Sequence, residues 1–196
     1  MKFRTVNAPI TVRKNIKKSI FIGSLSPAED VFSAKNFIEE IKSAYRNANH
    51  NAYCFRVGVK SEQVFYSDDG EPSRTAGLPI FNAIRSADLT NVVMVVSRFF
   101  GGIKLGVPGL IEAYGETSRF AIENAEIVEE TVKVTFQLSF AYNELQFVNY
   151  AIGKFSGEVI QKQFGENIEF TVRTCEEISN DFKEFLLQYG HYVTIK

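Results

Sequence analysis

The strongest constraint on the fold is a run of five apolar residues, VVMVV at positions 92–96, with no polar position inside it. Strands with one solvent-exposed face alternate apolar and polar residues. An uninterrupted apolar run therefore predicts a strand that is buried on both faces. A glycine-rich loop, FGGIKLG, follows almost at once. The next segment, PGLIEAYGETSRFAIENAEI, has apolar residues at helical spacing and Pro108 in its first turn. We therefore expect a buried strand, a tight loop and a long helix, in that order.

Strand and helix patterns also precede this segment. SIFIGSL at 19–25 predicts a strand, and Ser26-Pro27 predicts the start of a helix that continues to about Arg46. AYCFRVGV and QVFYS predict two strands joined by a polar turn, and LPIFNAIRSA predicts a short helix. DDGEPSRTAG, which lies between the second of these strands and the short helix, has the composition of a loop.

The pattern starts again after about residue 130. TVKVTFQLSF alternates apolar and polar residues as a half-buried strand does, and NELQFVNYAIGKF predicts a helix with Asn143 as its N-cap. Two strands, an amphipathic helix ended by Gly190 and a last strand, HYVTIK, follow. The order β-α-β-β-α-β is typical of ferredoxin-like domains. We expect an α+β protein with domains at 1–130 and 131–196.

Composition excludes several classes of protein. The longest apolar run is too short to span a membrane, and the basic N-terminus lacks the apolar segment that a secretory signal needs. Cys54 and Cys175 stand alone, without the paired spacing of zinc or redox motifs. We expect reduced thiols, a cytoplasmic location and no cofactor or metal. The net charge of -1 gives no overall attraction to nucleic acid, although six Lys and Arg residues and no acid precede Ser19.

The FGGIKLG loop has part of the pattern of a phosphate loop. Its spacing is G-x-x-x-x-G, but Val107 and Pro108 stand where a P-loop has Lys and Ser/Thr, so a nucleotide hydrolase is not expected. Glycine N–H groups, a helix N-terminus and the cations Arg98 and Lys104 still suit an anion. The alternative is that the glycines at 101–102 only permit unusual dihedral angles and close packing.

Three carboxylates, Asp68, Asp69 and Glu71, fall within four residues of the DDGEPS loop. They suggest either a site for a hard metal ion or a turn, in which Asp-Gly forms the corner and Pro72-Ser73 begins the next helix. The spacing does not match an EF-hand loop. We expect no metal and a loop that is structural or contacts a ligand.

His50 is a candidate general base or a structural histidine. No G-x-S-x-G segment supplies a nucleophile. If the segment is a strand, Cys54 lies about 13 Å away, because strands rise about 3.3 Å per residue. The two side chains are therefore poor partners for a nucleophile–base pair.

Three segments together resemble the YigZ/Impact family: HNAYCFRVG, SDDGEPSRTAGLPIFNAI and VVMVVSRFFGGIKLGVPGLIEAYG. The resemblance implies an N-terminal domain like domain IV of elongation factor G, of the β-α-β type found in a small-subunit ribosomal protein. It also implies a ferredoxin-like C-terminal domain. The positions that match the family motifs, and that we take as candidate binding residues, are His50, Asn51, Asp68, Asp69, Gly70, Glu71, Pro72, Ser73, Arg98, Phe100, Gly101, Gly102, Lys104 and Gly106.

The family resemblance implies a role linked to translation regulation, with RNA, the ribosome or a regulatory protein as partner. Two other hypotheses stay open: an enzyme that acts on a small phosphorylated or anionic compound, and a protein–protein adaptor. No residue is assigned a catalytic role. Glu112 and Ile20 stand where relatives often have basic residues, which makes this copy less basic than its family.

Overall fold

The computed structural model describes residues 1–190 and 193–195. The chain divides into two compact units, one of Phe3–Glu130 and one of Met1–Lys2 with Thr131–Lys196. The elements up to residue 131 are β1 (Lys2–Val6), β2 (Ile10–Ile16), β3 (Ser19–Pro27), α1 (Val31–Ala44), β4 (His50–Val57), β5 (Gln63–Ser67), α2 (Gly77–Ser86), β6 (Val92–Phe99), α3 (Gly106–Glu123) and β7 (Ile127–Thr131).

The first unit is built on an antiparallel five-stranded sheet in the order β2-β3-β6-β4-β5. The VVMVV run lies in the central strand β6, and all five of its side chains are buried. Met94 and Val96 pack in one core with α2 and α3, whereas Val93 and Val95 pack in another with α1. Helices therefore cover both faces of this strand, as the sequence predicts.

Helix α1 begins later than the sequence suggests. Ser26 and Pro27 belong to β3, and the helix starts at Val31 after Asp30, whose carboxylate accepts a hydrogen bond from the Ser33 backbone at 2.7 Å. The Ser33 hydroxyl in turn accepts from the Asp30 backbone, which completes a capping box. The prediction of a start at Ser26-Pro27 is wrong because this reciprocal cap is a stronger helix start than a proline alone.

Strands β1, β2 and β7 are absent from the sequence-based prediction. The segment ITVRKNI pairs with β3 and forms one edge strand of the sheet, although its charged residues hide its alternation. Helix α3 ends at Glu123 rather than Ile127, because Ile127–Thr131 pairs with β1 in a two-stranded sheet.

The second unit contains β8 (Lys133–Phe140), a single 3-10 turn (Tyr142–Glu144), α4 (Leu145–Lys154), β9 (Glu158–Phe164), β10 (Ile168–Cys175), α5 (Glu176–Tyr189) and β11 (Val193–Ile195). Its antiparallel sheet has the order β11-β8-β10-β9. Phe140, Phe170 and Phe182 are among the fully buried side chains of its core. The element order is the β-α-β-β-α-β order that the sequence pattern indicates.

The prediction of Asn143 as an N-cap is wrong. Asn143 lies inside the 3-10 turn, and Glu144 holds the cap position of α4 without a side-chain cap bond. The last predicted strand, HYVTIK, is observed as Val193–Ile195, while residues 191, 192 and 196 lie outside the described part of the chain. Among the described helices, none combines the length and the apolar character that a membrane crossing requires.

Candidate functional site

Three segments that are far apart in the sequence border one cleft of about 450 Å³ in the first unit. The strand register explains part of this arrangement, because the Cα atom of His50 on β4 lies opposite that of Arg98 on β6. The adjoining loops add the rest of the lining. The candidate residues that line the cleft are His50, Glu71, Pro72, Arg98, Phe100, Lys104 and Gly106.

A buried ionic cluster forms one wall of the cleft. The Glu71 Oε1 atom accepts hydrogen bonds from Arg98 Nη1 at 2.6 Å and from the Tyr114 hydroxyl at 2.9 Å. Burial raises the pKa of Tyr114 above its ordinary value, and the negative charge of Glu71 adds to the effect. The Arg98 guanidinium lies 5.6 Å from the Phe21 ring centroid and 5.5 Å from that of Phe100. Arg98 is thus held between two aromatic rings and one carboxylate.

The tautomer of His50 follows from its contacts. Its Nδ1 atom lies 2.8 Å from the Asp69 carbonyl oxygen. A carbonyl oxygen can only accept, so Nδ1 carries the proton, and in a neutral ring Nε2 is then an acceptor. Nε2 lies 4.0 Å from Glu71 Oε2. Gly70, with φ of +87°, packs so closely that a Cβ there would be 3.3 Å from His50 Nδ1, so the DDGEPS loop fixes the orientation of the ring.

The carboxylates of Asp68 and Asp69 hold the DDGEPS loop in shape. Asp68 accepts from the backbone N–H groups of Arg74, Ala76 and Gly77, at 2.8 to 2.9 Å. It therefore caps the start of α2. Asp69 Oδ2 accepts from the Asn51 backbone at 2.6 Å. Because each carboxylate accepts from a different set of donors, these contacts favour a turn over a metal-ion site. The prediction that Pro72-Ser73 begins the next helix is wrong, since α2 begins at Gly77.

Other contacts around the loop agree with this assignment. The Asn51 side chain accepts from the Ser97 hydroxyl at 2.6 Å and joins β4 to β6. Ser73 is exposed and is not among the residues that line the cleft. Within residues 1–190 and 193–195, no group of three or more His, Cys, Asp or Glu side chains is arranged to hold a metal ion.

The glycines of the FGGIKLG loop have different roles. A Cβ at Gly101 would lie 1.9 Å from the Lys18 carbonyl oxygen. Only glycine therefore lets the loop pack against the backbone of the β2–β3 turn. Gly102 and Gly106 have φ of +87° and +71°, in the left-handed region. Gly106 lines the cleft, whereas Gly101 and Gly102 do not. Gly101 therefore serves close backbone packing, and an anion site remains an interpretation only near Gly106.

The N-terminus of α3 lies at the edge of the cleft. Leu105 and Gly106 line it, Leu105 makes no side-chain cap bond, and the first turn of the helix has no acidic residue. Lys104 is exposed, and its ammonium makes no hydrogen bond or ion pair with any described residue. Because Glu71 offsets the charge of Arg98, the net positive character of the cleft comes from Lys104 and the helix end. This combination suits the binding of an anionic group.

Two members of the site are absent from the sequence-based list. Tyr114 is fully buried and donates to Glu71, and the Asn49 side chain accepts from the Phe100 backbone at 2.8 Å and lines the cleft. A tyrosine at an apolar position of a helix can indicate a buried polar contact in the sequence, because a buried hydroxyl needs a hydrogen-bond partner. Asn49 gives no comparable signal, because its role depends on the pairing of β4 with β6.

Comparisons with known proteins agree on one family. The Impact N-terminal domain matches residues 17–122. IMPACT family member YvyE of Bacillus subtilis (strain 168) is 34% identical over 180 residues, which are 88% of this chain and 80% of the relative. IMPACT family member YigZ of Escherichia coli (strain K12) is 33% identical over 159 residues, 80% of this chain and 78% of the relative.

One solved structure is similar to this chain over almost its whole length. The crystal structure of a hypothetical protein superposes with a TM-score of 0.76 and 27% identity, and the match covers 99% of this chain and 96% of that chain. This similarity extends over both units, whereas the matched domain lies in the first alone. The motifs that carry the resemblance also lie in the matched range, on the cleft and the loops around it. The chain belongs to the IMPACT family.

Proposed function

We propose that this protein binds RNA or the ribosome in a role linked to translation regulation, with the FGGIKLG loop and the start of α3 as its anion-binding element. The observation that carries the proposal is that the exposed Lys104 and the N-terminus of α3 lie together at the cleft. Phosphate groups are the anions that such a helix end and lysine accept most readily. A cytoplasmic location and a translation-regulatory protein partner belong to the same proposal.

The proposal includes the fold of each unit. We assign 1–130 to an Impact-type domain like domain IV of elongation factor G, and 131–196 to a ferredoxin-like domain. The second assignment is supported by the sheet order, in which β10 lies between β8 and β9, and β8 between β11 and β10. Each β-α-β unit is therefore split by a strand of the other, as in ferredoxin-like folds. Fold similarity alone is weak evidence for function, so the proposal depends on the cleft.

Ribosome sedimentation tests the proposal directly. The protein is mixed with ribosomes at 50 and 200 mM KCl and pelleted, and filter binding to a structured RNA is measured under the same conditions. Phosphate contacts predict binding that weakens steeply with salt. Lys104→Gln is expected to weaken it, while Lys35→Gln on α1, which packs on the opposite face of the sheet, leaves it unchanged. No cosedimentation and no filter binding at either salt concentration contradicts the proposal.

An enzyme acting on a small phosphorylated compound is the second candidate. The observation that favours it is the fixed His50 ring, which lines the cleft together with Glu71 and whose Nε2 lies 4.0 Å from Glu71 Oε2. A thermal-shift screen of nucleotides and sugar phosphates separates the two candidates. A stabilised complex that is lost in Lys104→Ala supports the enzyme, and a flat response over the whole panel contradicts it.

A further inference from the structure

The β2–β3 turn lies directly against the FGGIKLG loop. Lys17 and Lys18 have φ of +45° and +69°, as in the two-residue hairpin turns that suit twisted strands. A Cβ at Gly101 would clash with the carbonyl oxygen of Lys18. The Gly101 N–H donates a hydrogen bond to the Ser19 hydroxyl at 3.3 Å. This contact places two lysines next to the loop that borders the cleft.

The positive charges of this region are not neutralised inside the protein. Lys17, Lys18 and Lys104 are exposed, and none of their ammonium groups makes a hydrogen bond or ion pair with another described residue. By contrast, the neighbouring Lys14 on β2 is paired with Glu116 of α3. The three free lysines therefore form a positive rim that continues from the cleft to the hairpin turn.

An aromatic ring lies on the loop between these charges. Phe100 is 45% exposed and lines the cleft, and the Arg98 guanidinium lies against its ring at 5.5 Å. Arg98 is itself held in place by its hydrogen bond to Glu71, so the Phe100 ring packs against a guanidinium of fixed position. Unpaired bases stack on exposed aromatic rings of this kind, whereas the bases of a duplex are stacked on each other.

We propose that the ligand is single-stranded RNA, with an unpaired base on Phe100 and the flanking phosphates on the Lys17–Lys18 turn and on Lys104 with the α3 N-terminus. This inference rests on the proposed function and specifies its ligand. The cleft has a volume of about 450 Å³. Such a volume is that of a small-ligand cavity, which suits one nucleotide rather than a duplex.

The open sheet face of the second unit does not offer the same surface. The described outward-facing positions of its three longer strands carry no aromatic ring. They are Gln, Ser, Thr and charged residues, such as Gln137, Gln161 and Thr171, together with Cys175. Arg173 and Lys133 supply positive charge there, and Lys133 is paired with Glu158 at 4.0 Å. This face of the second sheet therefore offers no ring for base stacking among its described positions.

The experiment measures binding of a fluorescein-labelled 12-nucleotide unstructured RNA by anisotropy, alone and annealed to its complement, at 50 to 200 mM KCl. The full chain is compared with Phe100→Ala, Lys104→Gln and the double variant K17N/K18G. Asn-Gly is favoured in a turn of this type, so the double variant removes two charges and keeps the hairpin. The matched control is K35Q/K183Q, which removes two exposed lysines elsewhere in the chain.

The single strand is expected to bind at least tenfold more tightly than the duplex. Phe100→Ala is expected to lower its affinity about 5- to 140-fold, the loss of one stacked base. K17N/K18G is expected to reduce the slope of log affinity against log salt by about 1.4, and Lys104→Gln by about 0.7, since each single-strand phosphate contact contributes about 0.7. The control is expected to match the parent protein within twofold.

Several outcomes would overturn the inference. Equal binding of the duplex, an unchanged affinity in Phe100→Ala, or an unchanged salt slope in K17N/K18G each contradicts it while the RNA-binding proposal stands. Poly-glutamate that competes as well as RNA at equal charge points instead to an acidic protein segment and also overturns it. Failure of the parent protein to bind either RNA form or ribosomes at 50 mM KCl contradicts the proposed function itself.

Discussion

Replacement of Glu71 by glutamine removes one negative charge from the buried cluster and leaves the size of the side chain almost unchanged. In the parent protein the Glu71 side chain is 3% exposed and the Arg98 side chain 8% exposed, and their closest atoms are 2.6 Å apart. In Glu71→Gln the guanidinium stays buried without a counter-ion. Both donors, Arg98 and Tyr114, bind the same oxygen, and an amide oxygen in its place has two lone pairs and can accept from both, so the variant removes the charge and keeps the hydrogen bonds.

The expected cost in free energy of unfolding is about 3 kcal/mol, because breaking a buried ion pair from one side leaves an uncompensated charge. Glu62→Gln is the matched control. Its carboxylate contacts Arg56 at 3.1 Å, but its side chain is 45% exposed. Exposed pairs contribute at most about 1 kcal/mol. The contrast between the two variants isolates the effect of burial on an Arg–Glu contact.

Urea unfolding followed by far-UV circular dichroism measures the difference, with separate transitions fitted for the two units. The double variant E71M/R98M is expected to recover most of the stability lost in Glu71→Gln, since apolar replacement of both partners removes the unpaired charge. A loss below about 1 kcal/mol in Glu71→Gln, equal to that in Glu62→Gln, would refute the view that the cluster is a structural wall of the cleft.

Three further predictions concern the first unit and the thiols. The pKa of Tyr114 is raised by folding. Its contribution to stability is therefore complete below about pH 10 and falls as pH rises further, so Tyr114→Phe should flatten the loss of stability measured by urea unfolding between about pH 10 and pH 11. Burial raises the pKa of the Cys54 thiol to about 12, whereas Cys175 is partly exposed. At pH 8 Ellman's reagent should titrate Cys175 quickly and Cys54 only in urea, and two fast thiols would contradict this. Asp68→Ala removes the acceptor for three backbone N–H groups at the start of α2. The loss of this cap should cost about 1 kcal/mol or slightly more in thermal unfolding, with Asp68→Asn costing less. Equal stability of Asp68→Ala and the parent would contradict the capping role.

The sequence predicts most elements of the fold because their patterns are local. The VVMVV run, the alternation in TVKVTFQLSF and the helical spacing after Pro108 each depend on neighbours within one strand or helix. Strand β2 escapes prediction for a physical reason: its apolar residues alternate with Arg13 and Asn15, and Lys14 interrupts the apolar face, so the segment has the composition of a charged tail. Its pairing with β3 supplies the stability that local pattern does not show.

The sequence predicts the members of the candidate site better than their arrangement. Residues of the three motifs do meet at one cleft, but Asp68 and Gly101 hold loops in place rather than line it. Their roles depend on long-range partners, the start of α2 and the β2–β3 turn. Tyr114 lies 43 residues from Glu71 in sequence, and only the packing of α3 beside the DDGEPS loop brings the two together.

The register between β4 and β6 has a kinetic consequence. His50 and Arg98 are directly paired positions in a hydrogen-bonded ladder, so the spacing between two walls of the cleft is fixed before any ligand arrives. A slip of β4 by one residue would turn the His50 side chain to the other face of the sheet, away from Arg98. The two buried cores that pack on this sheet prevent such a slip. Little ordering entropy is then lost on binding. For the anion binding proposed above, we therefore expect a single association step whose rate depends on ionic strength rather than on a slow closure.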